Sequence, residues 1–400
     1  MTVIIHQIIY KFASIIVTVA MFLGINADFL KADSTQWNTN YPYVFVHGLS
    51  GWGSYDDIYK LMPYWGMFGG DLMKYLEDKG FETYAASVAP TDSAWDRACE
   101  LYAQLTGTRV DYGKAHSERC KHERYGEDFT GRALIEKFSS KDKINLLGHS
   151  FGGATVRLFA DIMEDGSKQE IEATPEKDLS DYFKGGKGDW IYSLTSLAAP
   201  HNGTTAYNVG ESAPEAKAAE PKRISIKDKF SSIGDKLMSQ FTGGEKDGRI
   251  DSDYAAYDMY IDNALKLNET ITTYADTYYF SFACTATVKN KDGSYVPEKK
   301  IMESIYASSS EAMGRYTGTT KGGFVIDESW QENDGLVNTV SALAPSSAPS
   351  KTFDERNITK GIWNIMPIYR GDHMSLQGGM TKINDVKTFY VEHLSMINSL

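Results

Sequence analysis

The chain has 400 residues, 42% hydrophobic and 24% charged, so it is an ordinary globular sequence that can bury a large core without disulfides or a metal. Lys and Arg number 41 against 53 Asp and Glu, and the net charge of −12 argues against nucleic acid and against attraction to anionic membranes. The three cysteines, Cys99, Cys120 and Cys284, are too few and of the wrong parity for a disulfide scaffold, and they form no CxxC motif.

Residues 12–25 form an uncharged, mostly apolar run preceded by Lys11. A membrane-spanning helix needs about 20 such residues, so the run suits the apolar part of a secretory signal. Cleavage is expected after Ala27 or Ala32. The alternatives are a buried N-terminal helix, or an anchor extended back across Lys11. Residues 1–27 are therefore set apart as a signal peptide. Residues 28–400 are expected to form a single extracellular domain with no stable membrane anchor.

Tyr43-Val44-Phe45-Val46, bounded by Pro42 and His47-Gly48, reads as a short buried strand. Asp71–Lys79 and Gly131–Phe138 read as helices. Lys143–Leu147 is a second strand. After it, Ala154, Val156, Leu158, Phe159, Ile162 and Met163 recur at helical spacing up to a capping Gly166. Ile191–Ala198 and Thr277–Ala283 complete the set of strands. Strands alternating with helices predict an α/β fold with a mostly parallel sheet covered on both faces. Residues 204–250 differ in composition, being rich in Ala, Lys, Glu, Gly and Ser. Within them Ile226, Phe230, Ile233, Leu237 and Phe241 fall on one helical face. That stripe fits either an ordinary core-facing helix or a lid whose apolar face meets substrate.

Gly148-His149-Ser150-Phe151-Gly152 matches G-x-S-x-G between a predicted strand and a predicted helix. A serine on such a turn takes a strained conformation that lifts its hydroxyl above the sheet, and the N–H of Phe151 points at a developing oxyanion. In the hydrolase order an acid and then a histidine follow the serine. His201, His373 and His393 lie beyond Ser150. His201 suits a turn, His393 sits in a helical pattern expected at the surface, and His373 lies in a loop, which makes it the candidate base. Asp334, in an Asn-Asp-Gly turn, is the candidate acid. Asp327 and Asp372 are rivals, and a plain turn aspartate is the structural alternative.

Several segments in order resemble the secreted bacterial lipases of the bacillus and staphylococcus type, members of the α/β-hydrolase superfamily. They are Val46-His47-Gly48-Leu49-Ser50-Gly51-Trp52-Gly53, Trp95–Glu100, Val110-Asp111-Tyr112-Gly113, Gly148–Gly153, Pro200–Thr205, Glu332–Thr339 and Asp372-His373. The resemblance implies a lipase that hydrolyses triacylglycerol esters at an oil–water interface with Ser150, Asp334 and His373 as triad. It implies Leu49 N–H as the second oxyanion donor and a lid after Thr205. It also implies a structural zinc on Asp96, His116, His122 and Asp253, with Asp258 as a rival and Cys120 as a possible substitute. Taken alone, His116 and His122 would read as two loop histidines. The resemblance also suggests calcium near the base. Residues Met374–Gly379 offer no carboxylate, which argues against calcium there. A phospholipase, a short-chain carboxylesterase and a non-catalytic lipid-binding protein are the alternatives.

Overall fold

The computed structural model describes residues 37–212, 249–380 and 385–400. The expected signal segment and the stripe from Ile226 to Phe241 lie outside those residues. Seven strands form the central sheet: β1 (Tyr43–Val46), β2 (Thr83–Ala86), β3 (Ile144–His149), β4 (Ile191–Leu197), β5 (Tyr278–Phe282), β6 (Ser350–Thr352) and β7 (Trp363–Ile365). Their order is β6-β7-β5-β4-β3-β1-β2, and every neighbouring pair is parallel. The sequence reading found four of them. The strands β2, β6 and β7 are short, and none is a continuous run of strongly apolar residues.

The side-chain period of two distributes the strand residues between two cores. Val44 and Val46 face one core with Leu146, Phe151 and Phe159. Tyr43, Phe45 and Leu147 face the other with Leu72, Leu76, Tyr390 and Leu394. The first face is covered by α2 (Ala94–Thr106) and α4 (Phe151–Asp165), the second by α1 (Leu72–Glu77) and α6 (Lys387–Ser399). Both faces are covered, so β1 and β3 are buried at every position.

Asp71 caps α1 through its carboxylate, and Gly166 ends α4 as the sequence predicted. Gly131–Phe138 is not a helix. Leu134 N–H donates to Gln104 O near the end of α2, and Leu134 and Ile135 are buried against the first core, which holds this stretch in turns. His393 is not at the surface either: it is buried on α6, where Nε2 meets Thr195 Oγ1 at 2.9 Å and Phe280 and Phe282 pack on the ring. An antiparallel pair, Arg109–Asp111 with Tyr125–Asp128, brackets α3 (Lys114–Cys120), and α5 (Thr205–Ser212) begins the segment expected to form a lid.

Candidate active site

From β1 the chain runs outward to β2 and then returns to form β3 on the other side of β1. The loops leaving β1 and β3 therefore diverge at the carboxyl edge of the sheet, where open α/β sheets form their crevice. The loop after β1 carries His47-Gly48-Leu49, and the turn after β3 carries Ser150. The serine has φ 55° and ψ −128°, a strained conformation for a residue with a side chain. It persists because the turn is crossed closely by other backbone: a Cβ at Gly152 would lie 2.3 Å from Val46 O. Ser150 N–H donates to Leu197 O at 2.8 Å, so strand pairing continues to the edge of the turn.

His373 meets this serine. Its Nε2 lies 2.7 Å from Ser150 Oγ and its Nδ1 2.9 Å from Asp334 Oδ2. All three side chains are buried. A carboxylate only accepts, so Nδ1 carries the proton and Nε2 accepts from the serine hydroxyl. The carboxylate in the Asn-Asp-Gly turn meets two kinds of partner. Asp334 Oδ1 accepts from Leu336 N–H and Val337 N–H, closing the turn, while Oδ2 serves the histidine. The rivals do other work. Asp327 caps Ser329, and Asp372 is turned away from its neighbour to accept from Glu303 N–H at 2.7 Å and Ser375 Oγ at 2.9 Å. Burial pushes the Asp372 carboxyl up to about 6. His201 is buried beside Ser196, away from the serine.

The peptide linking Gly48 to Leu49 is held in one orientation. Gly48 O faces His47 Nδ1 at 2.8 Å and Arg97 Nη1 at 3.4 Å. In a trans peptide the next N–H points the opposite way, so Leu49 N–H is directed away from Arg97. A Cβ on Gly48 would lie 2.8 Å from Ser150 Cβ, so the loop presses against the serine. Phe151 opens α4, where first-turn amides have no acceptor within the helix. A small recess adjoins the serine, with Leu49, Trp52, Met67, Leu336, Met374 and Met380 in its wall.

Arg97 escaped the sequence reading. It lies on the buried stripe of α2 with Ala94, Ala98, Leu101 and Leu105, and a charge on such a stripe is the signal that could have found it. The guanidinium donates to His47 O, Ala89 O and Thr155 Oγ1 and stands 5.1 Å from the Phe151 ring centre. Tyr64 and His149 were also missed. Their roles exist only once the loop, the strand end and the His373 turn are brought together.

A second cluster lies apart from the serine. His116 Nε2 is 3.0 Å from Asp96 Oδ1 and 3.1 Å from Asp253 Oδ1, and His122 Nε2 is 3.8 Å and 3.5 Å from the same two carboxylates. Burial works against a charged His116, but hydrogen bonds with Asp253 and Asp96 outweigh it and hold its pKa up at about 11. Two imidazoles and two carboxylates thus converge on one small space. His122 Nε2 is buried and makes no hydrogen bond among the described residues, which fits a donor waiting for a cation. Cys120 belongs to the same cluster of possible metal donors as His116, His122 and Asp253. Its Sγ is 3.9 Å from Nδ1 of His116, the ring nitrogen facing away from the carboxylates. Asp258 is engaged elsewhere, accepting from Ala94 N–H at 2.8 Å at the start of α2. Glu170, unremarked in the sequence, accepts from Ala115 N–H and His116 N–H and so anchors α3.

Several known proteins are similar to this chain. A family model described as "Lipase-like, C-terminal domain" matches residues 39–217 and 247–393. A lipase of Staphylococcus hyicus is 32% identical over 356 residues, covering 84% of this chain and 53% of that lipase. The chain thus spans about half the length of the curated relatives it matches. Among solved structures, EstA from Clostridium botulinum superposes with a TM-score of 0.77 at 33% identity, covering 91% of this chain and 88% of that one. The Staphylococcus hyicus lipase crystal structure gives 0.72 at 29% identity, covering 90% of this chain and 97% of that one.

Proposed function

The chain belongs to the lipase-like family, and we propose that it is a secreted serine hydrolase cleaving the carboxylic esters of triacylglycerols. The observation that carries this reading is the hydrogen-bonded line from Ser150 through His373 to Asp334 beside an apolar recess. His373 Nε2 takes the serine proton as Oγ attacks the ester carbonyl. The new C–O bond makes a tetrahedral oxyanion, which the N–H groups of Leu49 and Phe151 receive. Asp334 keeps the proton on Nδ1 and balances the imidazolium. His373 then protonates the leaving alcohol, and water reverses the same steps on the acyl-enzyme. Loss of one oxyanion donor typically costs on the order of 100-fold in rate.

Leu61 and Phe68 are exposed apolar residues in the stretch of chain that gives Tyr64 and Met67 to the recess, which suits contact with an oil surface. No helix among the described residues is long and apolar enough to cross a membrane. Residues 28–400 are read as one hydrolase domain behind a cleaved signal peptide, with a lid within 204–250. Asp96, His116, His122 and Asp253 suit a closed tetrahedral zinc site. Such an ion supplies structural cross-linking and leaves no open position for chemistry. The residues after His373 do not suit calcium.

The test is hydrolysis of emulsified long-chain triglyceride and of a soluble short-chain ester, with wild type beside Ser150→Ala. The expected result is activity that rises at the emulsion surface and vanishes in the variant. Activity on the soluble ester alone would make the protein a carboxylesterase, preference for phospholipid a phospholipase. Full activity in Ser150→Ala would remove the reading altogether.

A further inference from the structure

Two buried side chains beside Ser150 take no part in the proton transfers, yet both spend their polar atoms on the site's main chain. Gly48 N–H donates to Tyr64 Oη at 3.2 Å. Tyr64 Oη lies 2.7 Å from His149 Nδ1, and His149 Nε2 lies 2.8 Å from the carbonyl oxygen of His373. Elementary valence sets every direction in this series. The His373 carbonyl can only accept, so Nε2 of His149 carries the hydrogen. In the neutral ring Nδ1 then accepts, the Tyr64 hydroxyl donates to it, and a phenol lone pair receives Gly48 N–H. Both side chains are buried, and the two ends of the series are the peptide before Leu49 and the main chain of His373.

We propose that Tyr64 and His149 are positioning residues, a hydrogen-bonded bridge that holds the oxyanion loop and the catalytic base in a common register. The proposal rests on the reading of Ser150 and His373 as nucleophile and base. The bridge needs a neutral His149 at the moment His373 becomes charged. Burial, and then the charge of His373 itself, lower the His149 pKa to about 3, so the proton lifted from Ser150 stays on His373. Tyr64 is steadied by edge contacts with Trp52 and Trp65, so its ring holds its place when only the hydroxyl is removed. The phenol and imidazole act through the groups they hold, so their loss should lower kcat and leave substrate binding nearly untouched.

The experiment is steady-state kinetics on a soluble short-chain p-nitrophenyl ester with Tyr64→Phe, His149→Phe, the double variant and His149→Gln. Each Phe variant is expected to lower kcat about tenfold, with KM within about twofold. The double variant should lose about as much as the worse single one, because either change breaks the same bridge. His149→Gln, whose amide can still donate to the His373 carbonyl, should recover most of the loss. Losses that multiply in the double variant, a change confined to KM, or no recovery in His149→Gln would overturn the proposal. If His149→Phe fails to fold, Tyr64→Phe decides alone, and a kcat within twofold of wild type would end the idea. Labelling by a serine-directed phosphonate separates the two readings. Wild type that does not label at Ser150 refutes the site, whereas wild type that labels beside an unimpaired Tyr64→Phe refutes only the bridge.

Discussion

At the scale of single residues, Asp334 divides one carboxylate between a turn and a histidine. Its Oδ1 closes the turn onto Leu336 and Val337, and its Oδ2 orients His373. Asp334→Asn can keep the amide oxygen toward the turn while presenting an N–H to the histidine. The histidine would then carry its proton on Nε2 and could no longer accept from Ser150. The expected result is a kcat loss of roughly 10³–10⁴-fold with a melting temperature close to wild type, measured by ester hydrolysis and calorimetry. Glu100 offers a contrasting case. It accepts from Ala89 N–H and Tyr112 Oη, and burial, opposed by those bonds, raises its pKa from 4.5 to about 8. The folded state therefore binds this proton more tightly than the unfolded one. The stability it contributes is full below pH 4.5 and is lost as pH climbs to about 8. Comparing wild type with Glu100→Gln, the difference in unfolding free energy should move against wild type by a few kcal/mol across that window. Denaturant melts at pH 5 and pH 9 check it, and a constant difference would refute the assignment.

At the scale of elements, what could be read from the chain divides along a physical line. The strands β1, β3, β4 and β5 were legible because both sheet faces are covered, so each carries a short apolar run, and the helix α4 was legible from its apolar spacing. The strands β2, β6 and β7 were not, being short, and in β6 polar: Ser350-Lys351-Thr352 takes its identity from pairing with β7. Gly131–Phe138 has helical spacing, but the end of α2 claims its backbone. Ser150, Asp334 and His373 could be singled out because each lies in a short local motif, and for Asp334 because the family resemblance chose it over Asp327 and Asp372. Tyr64, His149 and Arg97 could not, because their partners lie up to 224 residues away along the chain. Arg97 makes the point quantitative. It lies on α2 but steadies the loop after β1 through His47 O and Gly48 O, and burial lowers its pKa to about 10. Arg97→Met should leave those carbonyls without their charged donor and cost on the order of 3 kcal/mol of stability. It should also lower kcat, because the Leu49 peptide is then free to turn. Arg97→Lys should rescue little, since an ammonium cannot reproduce the fork that reaches His47, Ala89 and Thr155 together. Thermal melts and ester kinetics on the two variants test both halves.

At the scale of the whole molecule, the cluster of Asp96, His116, His122 and Asp253 joins parts of the chain that the sheet does not join. Asp96 stands on α2, His116 on α3, His122 just beyond it, and Asp253 lies 157 positions after Asp96, past residues 213–248. Ser150 needs no such link, because it sits on the turn that leaves β3. An ion bound by these four residues would instead pin the excursion after β2 to the return of the chain toward β5. Glu170 adds to this by fixing the start of α3, so that His116 approaches the carboxylates from a rigid helix. Arg249 already sets its guanidinium 3.4 Å from Asp96 and 3.5 Å from Asp253, evidence of how strongly this pair of carboxylates draws positive charge. Metal that binds only the folded chain stabilises it by about 2.7 kcal/mol when free metal is 100 times its Kd. Chelation of the purified protein should therefore lower its melting temperature by several degrees, and zinc should restore it in proportion to the logarithm of its concentration. His122→Ala should melt low from the start and respond neither to chelator nor to zinc, while its hydrolysis of a soluble ester at a temperature where it is folded stays near wild type. Bound zinc near one per chain in wild type and near none in His122→Ala would assign the stabilisation to this cluster. Unchanged melting in the presence of chelator, with no metal found, would show that Arg249 and the two histidines balance the carboxylates unaided.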